Sequence, residues 1–174
     1  SAYDAFVHET YTQVPDETRQ ALSDILSELV GEEDADPYQY IPRVLEYVST
    51  SARYDLNTPA VPDGEDFVSW FLHDSETGYC VHYATAATIL LRCLGVPARY
   101  VTGYYTDVYE NEWTTVTSDD AHAWVEIYLN GIGWLRDDPT PAADTPAQTA
   151  PEEPIAAPIE PADNQPEDTP PAGD

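Results

Sequence analysis

The stretch from Cys80 to Leu94 constrains the fold most, because its residues are apolar on nearly every side of a helical repeat. Alanines, isoleucine and leucines recur through it, and Gly95 ends it. A helix that is apolar all round is stable only when other elements cover every face. The sequence therefore predicts a buried central helix that carries Cys80 and that the rest of the domain surrounds.

Helical patterns precede this stretch, and strand patterns follow it. Helices are predicted from Asp16 to Gly31, from Asp36 to about Thr50 and from Asp66 to His73. Strands are predicted around Tyr100–Tyr105, Trp113–Val116, 121–129 and Ile132–Leu135. Helices followed by a mainly antiparallel sheet indicate an α+β fold.

Composition changes abruptly after Asp138. Ten of the sixteen prolines lie from Pro139 onward, together with eight acidic residues and neither an arginine nor an aromatic residue. Such a segment buries too little apolar surface to offset the entropy cost of ordering it. We therefore predict an acidic, proline-rich, disordered tail over 142–174. Before it, we predict an N-terminal helical extension over residues 1–35 and a core domain over 36–141.

The charge of the chain excludes several classes of partner. It carries 33 Asp and Glu against six arginines and no lysine, a formal net charge of −27. No basic stripe exists that could neutralise nucleic-acid phosphates, and anionic lipid headgroups would be repelled. No apolar run reaches the roughly 18 residues of a membrane span, so we expect no membrane contact by this segment itself. The acidity fits either a solvated surface in a saline or extracellular setting or attraction of cationic substrates such as lysine-rich peptides.

The residues that bind metals are sparse in this sequence. Two cysteines and four scattered histidines are too few for a zinc cage. The acidic runs 32–34 and 119–120 leave calcium binding as an alternative, although they lack the spacing of an EF-hand. We therefore expect neither a metal nor a cofactor.

Three residues could together form a nucleophilic site. Cys80 begins the central helix, where the helix dipole favours a thiolate. His122 lies in a strand between two alanines, and Asp138 ends the strand that returns beside it. A cysteine, a histidine and an orienting carboxylate arranged in this way form a catalytic triad. The alternative is a buried structural cysteine, a structural strand histidine and a turn aspartate.

The hairpin that joins the two strands offers a geometric test of this triad. Because side chains alternate along strands, His122 and Asp138 share a face only if the numbers of paired residues sum to an even value. A two-residue turn at Asn130-Gly131 would pair residues 129 and 132, an odd sum, and would separate them. The triad therefore predicts a three- or five-residue loop, or a bulge, despite the Asn-Gly signal for a two-residue turn.

Four ordered stretches around these residues resemble the motif blocks of one family. They are 77–84 (TGYCVHYA), 95–104 (GVPARYVTGY), 120–126 (DAHAWVE) and 133–141 (GWLRDDPTP). They are similar to the Cys, Gly-x-Pro-x-Arg, His-x-Trp and Asp-Pro-Thr blocks of the transglutaminase-like superfamily, and most similar to its bacterial and archaeal branch. The resemblance covers residues 38–141, with Val81 standing where many relatives carry glutamate.

The resemblance implies a papain-like transglutaminase core, in which N-terminal helices and a central buried helix carrying the cysteine pack on an antiparallel sheet. Carried over to this chain, it makes Cys80 the nucleophile, His122 the general base and acid, and Asp138 the residue that holds His122. The backbone N–H of Cys80 would be one oxyanion donor.

Three further residues have expected roles around this triad. Tyr54 is a candidate second oxyanion donor and substrate-binding residue. Trp124 falls on the His122 side of its strand, so it either lines the substrate site or packs in the core. Arg99 is expected to pair with a carboxylate.

The resemblance also implies a reaction and a location. We expect a cysteine enzyme that acts on protein or peptide amide bonds through a thioester, by hydrolysis as in a protease or amidase, or by acyl transfer to an amine. An inactive binding or scaffold module of the same fold in a cell-surface protein is the alternative. The branch often forms the extracytoplasmic part of membrane proteins, and the chain begins without Met. We therefore expect an extracellular or cell-surface domain of a longer, membrane-anchored protein, with a protein or peptide as its substrate.

Overall fold

The computed structural model of the chain describes residues 1–31 and 35–141. The tail predicted over 142–174 and the acidic run 32–34 lie outside these residues. The helices are α1 (Ala2–Tyr11), α2 (Asp16–Ala21), α3 (Ser23–Val30), α4 (Ile41–Thr50), α5 (Phe67–His73) and α6 (Cys80–Cys93), with 3-10 turns at Pro37–Tyr40 and Ser118–Asp120. The strands are β1 (Arg53–Tyr54), β2 (Thr77–Gly78), β3 (Ala98–Tyr104), β4 (Ala121–Leu129) and β5 (Gly133–Asp137). The predicted α+β class is confirmed.

The central helix is α6, and it is buried as predicted. Tyr83, Leu90 and Leu91 are fully inaccessible to solvent, and α6 contacts α4, α5, β3 and β4. Burying a leucine side chain contributes about 2 kcal/mol, so the helix supplies much of the energy that holds these elements together. Its first residue, Cys80, is thereby fixed relative to the sheet.

The helices before α6 follow the predicted pattern with three differences. The helix predicted from Asp36 begins as the 3-10 turn Pro37–Tyr40 and becomes α-helical only at Ile41. The helix predicted between Asp16 and Gly31 is interrupted at Leu22 and forms α2 and α3. Within the predicted N-terminal helical extension, no separate helix was expected at α1, because Val7 is its only buried residue and so no apolar stripe is visible. Ile25 and Leu29 of α3 lie in the same core cluster as α6, and the predicted division at residue 35 stays a prediction.

The three-stranded antiparallel sheet has the order β3-β4-β5. Leu129 pairs with Gly133, so the β4–β5 connection contains three residues, 130–132, and the paired numbers sum to an even value. The N–H of Ile132 donates to the carbonyl of Leu129 across this turn at 3.0 Å, and Gly131 has a φ of 79° that favours glycine. The prediction of a three- or five-residue loop, or a bulge, is confirmed by this three-residue loop, and a plain two-residue turn is absent from this hairpin.

The strand predicted at Trp113–Val116 is wrong. Residues 105–117 contain neither helix nor strand, and Trp113 is fully exposed. β-forming residues become a strand only where a partner strand and a buried face are available. Here the chain has left the sheet at Tyr104, so these side chains have no partner strand.

Gly78 lies at the entry to α6, where the chain passes against the core. A Cβ at this position would lie 2.5 Å from Cε2 of the Phe71 ring, which is itself fully buried. The residue must therefore be glycine because of the close approach of backbone to ring. This contact sets how the chain enters the helix that begins with Cys80.

Replacing Gly78 by alanine should lower the free energy of unfolding by about 1–3 kcal/mol, because overpacking forces the Phe71 ring to shift. Urea denaturation would measure the loss. In a double-mutant cycle, Gly78→Ala should lower the free energy of unfolding less in a Phe71→Leu background than in wild type. The smaller leucine side chain leaves room for the new methyl group. Strictly additive losses would contradict the contact.

Candidate active site

His122 and Asp138 lie together on one face of the β4–β5 hairpin. Nε2 of His122 is 2.5 Å from Oδ2 of Asp138, and both side chains are partly buried. Strand pairing ends at Val125 and Asp137, so Asp138 is the first residue beyond the ladder. The contact that the even register predicts is therefore present, and the catalytic roles of the two residues remain predictions.

Asp138 is held as a carboxylate. Burial alone would raise its pKa, but hydrogen bonds from His122 and from the N–H of Thr140 outweigh burial and hold the pKa below its usual value. An ionised carboxylate only accepts, so Nε2 of His122 must be the donor. Nδ1 of the neutral ring is then the nitrogen left to take a proton.

Cys80 is the first residue of α6, and its thiol is partly exposed. Burial raises the pKa of Tyr54 and of Tyr100, and a negative charge at Cys80 raises both further, so the two phenols lie within electrostatic reach of the sulfur. Among the described residues the thiol forms no hydrogen bond, so thiol and imidazole are not joined directly in this structure. Such catalytic bonds are often formed only when substrate is present.

Tyr54 is positioned by the short parallel pair of β1 and β2. It pairs with Gly78, two residues before Cys80, and the N–H of Asp55 donates to the Gly78 carbonyl at 2.8 Å. The structure thus brings Tyr54 beside the segment that leads into the candidate nucleophile. Its role as a donor stays a prediction.

Trp124 lies beside the imidazole of His122, on the face of β4 that side-chain alternation predicts. Its ring stacks on His122 at a centroid distance of 6.3 Å. It also covers Gly103, where a Cβ would lie 2.6 Å from Cη2 of the indole. Within the described residues the indole N–H is buried without a hydrogen-bond partner.

Arg136 belongs to this cluster and was not identified from the sequence. Its guanidinium lies over the rings of Tyr105 and Trp124, at 4.8 and 5.0 Å, and its Nη2 is 3.7 Å from Oδ2 of Asp138. It therefore places a positive charge beside the carboxylate that holds His122. The same alternation that joins His122 to Asp138 puts Arg136, two residues before Asp138, on that face.

His82 is a second residue that sequence reasoning missed. It is 5% exposed, and its ring packs against Phe67, Phe71 and Tyr79. The N–H of Tyr79 donates to its Nδ1 at 3.4 Å, and burial lowers the pKa of the imidazole, which favours the neutral ring. The signal in the sequence was an ionisable residue in the first turn of a mainly apolar helix. Its effect is to hold the backbone immediately before Cys80.

Arg99 has the structural role expected of it. Its Nε donates to Oε2 of Glu126 at 2.7 Å, directly across the β3–β4 ladder, and its guanidinium lies 4.2 Å over the Trp134 ring. Asp120 caps the turn before β4 by accepting from the N–H of Thr117 at 2.7 Å. In residues 1–31 and 35–141, no group of three His, Cys, Asp or Glu side chains is placed to hold a metal ion.

Comparison with known proteins identifies the family to which this arrangement belongs. The family model of the transglutaminase-like superfamily matches residues 24–139. The chain belongs to the transglutaminase-like superfamily. Its predicted resemblance to that superfamily is therefore confirmed.

Two curated bacterial relatives match parts of this transglutaminase-like domain. The protein YebA of Bacillus subtilis is 31% identical over 148 residues, 80% of this chain and 20% of YebA. A protein-glutamine gamma-glutamyltransferase of Pseudomonas aeruginosa is 44% identical over 89 residues, 50% of this chain and 13% of that protein. The chain thus spans a fifth or less of the length of these relatives.

A solved structure has the same core. The periplasmic domain of TgpA from Pseudomonas aeruginosa is 32% identical, with a TM-score of 0.65, over 78% of this chain and 49% of that domain. The expected transglutaminase core is confirmed by this likeness. Among the helices of the described residues, none combines the length and the apolar character needed to cross a bilayer.

Replacing Asp138 by asparagine should lower stability in a pH-dependent way. The pKa of Asp138 in the folded protein lies below its value in the unfolded chain, about 3.9. Its ionised form therefore stabilises the fold above that pH, and the contribution is lost as the pH falls through the folded pKa. Urea denaturation between about pH 2.5 and 6.5 should show a difference between wild type and Asp138→Asn that shrinks towards the acid end.

The matched control is Asp63→Asn, which removes a carboxylate from an exposed loop. Acid titrates the other carboxylates equally in all three proteins, so only the differences matter. If the loss in Asp138→Asn were the same at every pH, the ionised carboxylate would not be what stabilises this site.

Proposed function

We propose that this chain is the catalytic unit of a transglutaminase-like enzyme that acts on the side-chain amide of glutamine in proteins or peptides through a thioester on Cys80. The observation that carries the proposal is the His122–Asp138 hydrogen bond on the hairpin face. A histidine oriented by an ionised carboxylate is the arrangement that activates a cysteine nucleophile. The family assignment and the placement of Cys80 at the start of α6 support it.

The first half-reaction would use these residues in turn. The Cys80 thiol transfers its proton to Nδ1 of His122, and the thiolate attacks the amide carbon. The oxyanion lies near the first turn of α6, where the backbone N–H of Cys80 is an available donor at the positive end of the helix dipole. The C–N bond then breaks, ammonia leaves with the proton from His122, and the thioester remains.

The phenol of Tyr54 would be the second donor to the oxyanion. Its raised pKa keeps it protonated at neutral pH, so that it has a hydrogen to donate. Pairing with Gly78 supports its position beside the thioester carbon. Asp138 and the Arg136 charge beside it would fix the imidazole between the two transfers of its proton.

Resolution of the thioester separates two reactions. Attack by a primary amine forms a new amide, whereas attack by water yields a free glutamate; in both cases the sulfur leaves as the thiol. The name of the Pseudomonas aeruginosa relative, a protein-glutamine gamma-glutamyltransferase, favours transfer to an amine. We also propose an extracytoplasmic location within a longer, membrane-anchored protein, which the periplasmic TgpA domain supports.

Alkylation with iodoacetamide tests the nucleophile before any substrate is known. At about pH 6 an unperturbed thiol is mostly protonated, so rapid labelling requires a low thiol pKa. Cys80 should react much faster than Cys93, whose pKa is raised by burial. Peptide mass spectrometry would read both rates in one sample, which makes Cys93 an internal control.

The His122→Ala variant should slow labelling of Cys80 by about tenfold or more, because the partner that takes the thiol proton is lost. Labelling of Cys93 should not change. Equal and slow labelling of Cys80 in both proteins would contradict its assignment as the nucleophile. It would favour the alternative, an inactive scaffold of the same fold.

A glutamine-containing peptide and a small fluorescent primary amine separate transfer from hydrolysis. Released ammonia reports formation of the thioester, and peptide fluorescence reports the amine product. Both signals should disappear in Cys80→Ala and persist in Cys93→Ser. We expect amine incorporation to account for most of the ammonia at millimolar amine. Ammonia without incorporation would assign hydrolysis instead.

A further inference from the structure

The connection between β3 and β4 leaves the sheet beside the candidate active site. Tyr104 pairs with Ala121, and residues 105–117, hereafter the β3–β4 loop, have no helix or strand. The N–H of Tyr105 donates to the carbonyl of Asp120 at 2.8 Å, and the Tyr105 ring lies 6.3 Å from that of His122. The base of the loop is therefore fixed at the imidazole. Long loops without regular structure in a compact domain are usually functional.

This loop presents large apolar side chains to solvent. Trp113 is fully exposed, and Val108 and Tyr109 are 77% and 65% exposed. Tyr105 and Val116 are exposed as well. Single exposed apolar residues are ordinary, but five of them in one 13-residue loop favour an interaction surface, and tryptophan and tyrosine are enriched among the residues that supply most of the energy at such surfaces.

The charges that the loop itself carries have one sign, and the guanidinium of Arg136, over Tyr105 at the base of the loop, lies beside Asp138. No arginine or lysine occurs between Arg99 and Arg136. The loop itself contains Asp107, Glu110 and Glu112. A net charge of −27 opposes association with a second copy of the chain. A positively charged partner would complement the negative charge of the loop, so we favour such a partner.

We propose that the β3–β4 loop is the docking surface for a positively charged polypeptide segment of the protein substrate. Lysine or arginine side chains of that segment lie over the faces of Tyr109 and Trp113 and pair with the carboxylates of the loop. The inference rests on the proposed function in one respect, namely that the docked polypeptide is the substrate. It adds a recognition surface outside the reacting groups.

Binding can be measured without turnover in a Cys80→Ala background. The probe is a labelled peptide of alternating lysine and leucine residues, read by fluorescence anisotropy at physiological salt, and the comparison peptide carries glutamate in place of lysine. The lysine peptide should bind, with an affinity that falls as salt is raised. Failure of the lysine peptide to bind, or equal binding of the glutamate peptide, would overturn the proposal.

Matched charge variants locate the surface. The triple variant Asp107→Asn/Glu110→Gln/Glu112→Gln should weaken binding by about tenfold. The triple variant Glu9→Gln/Asp63→Asn/Glu65→Gln removes the same three charges at exposed positions elsewhere and should change binding less than about threefold. Equal losses of affinity in the two triple variants would show that binding depends on the overall negative charge, and would overturn the proposal that the loop is the docking surface.

A third variant tests the aromatic contribution at unchanged charge. Trp113→Ala/Tyr109→Ala should weaken binding by about fivefold or more, because both rings contact the peptide. Unchanged affinity would overturn the proposed contact. All the substituted side chains are exposed, and thermal midpoints close to that of the Cys80→Ala parent would show that the variants fold. Alkylation of Cys80 in the wild-type protein tests the proposed function separately. The proposed function and the proposed docking surface can therefore fail independently of each other.

Discussion

The burial of α6 is the constraint on which the rest of the structure depends. A helix with no polar face cannot exist at a surface, so α4 and α5 and the sheet must cover it. Covering it places Cys80 at the junction between helices and sheet. The close approach of Gly78 to Phe71 and the hold of His82 on the Tyr79 N–H then define how the chain enters that helix.

The hairpin provides the second half of the site by alternation alone. Its even register places His122, Trp124, Arg136 and Asp138 on one face, where they form a continuous cluster of ring, guanidinium and carboxylate contacts. The contacts within this cluster also fix the charge of Asp138 and the protonation pattern of His122. The hydrogen bonds to Asp138 favour its ionised form, and an ionised Asp138 fixes which nitrogen of His122 carries a proton.

Local pattern was sufficient for the parts of this protein that are locally determined. The apolar run of α6 follows from side-chain periodicity, which is a property of the sequence itself. The even register of the hairpin came instead from the requirement that His122 and Asp138 share a face, because the local Asn-Gly signal favours a two-residue turn. The strand expected at Trp113–Val116 failed because a strand needs a partner, and pairing is decided elsewhere in the chain. Likewise, the aromatic surroundings of His82 combine side chains from α5 with its own helix, and no single segment reveals them.

The three-residue connection between β4 and β5 has a consequence for how such a domain can diverge. Adding or removing one residue there would turn every side chain of β5 to the opposite face, while the backbone ladder could form as before. Adding or removing two would preserve the face. In a lineage that retains the His122–Asp138 pair, changes in the length of this turn are therefore expected in even steps, unless a bulge restores the register.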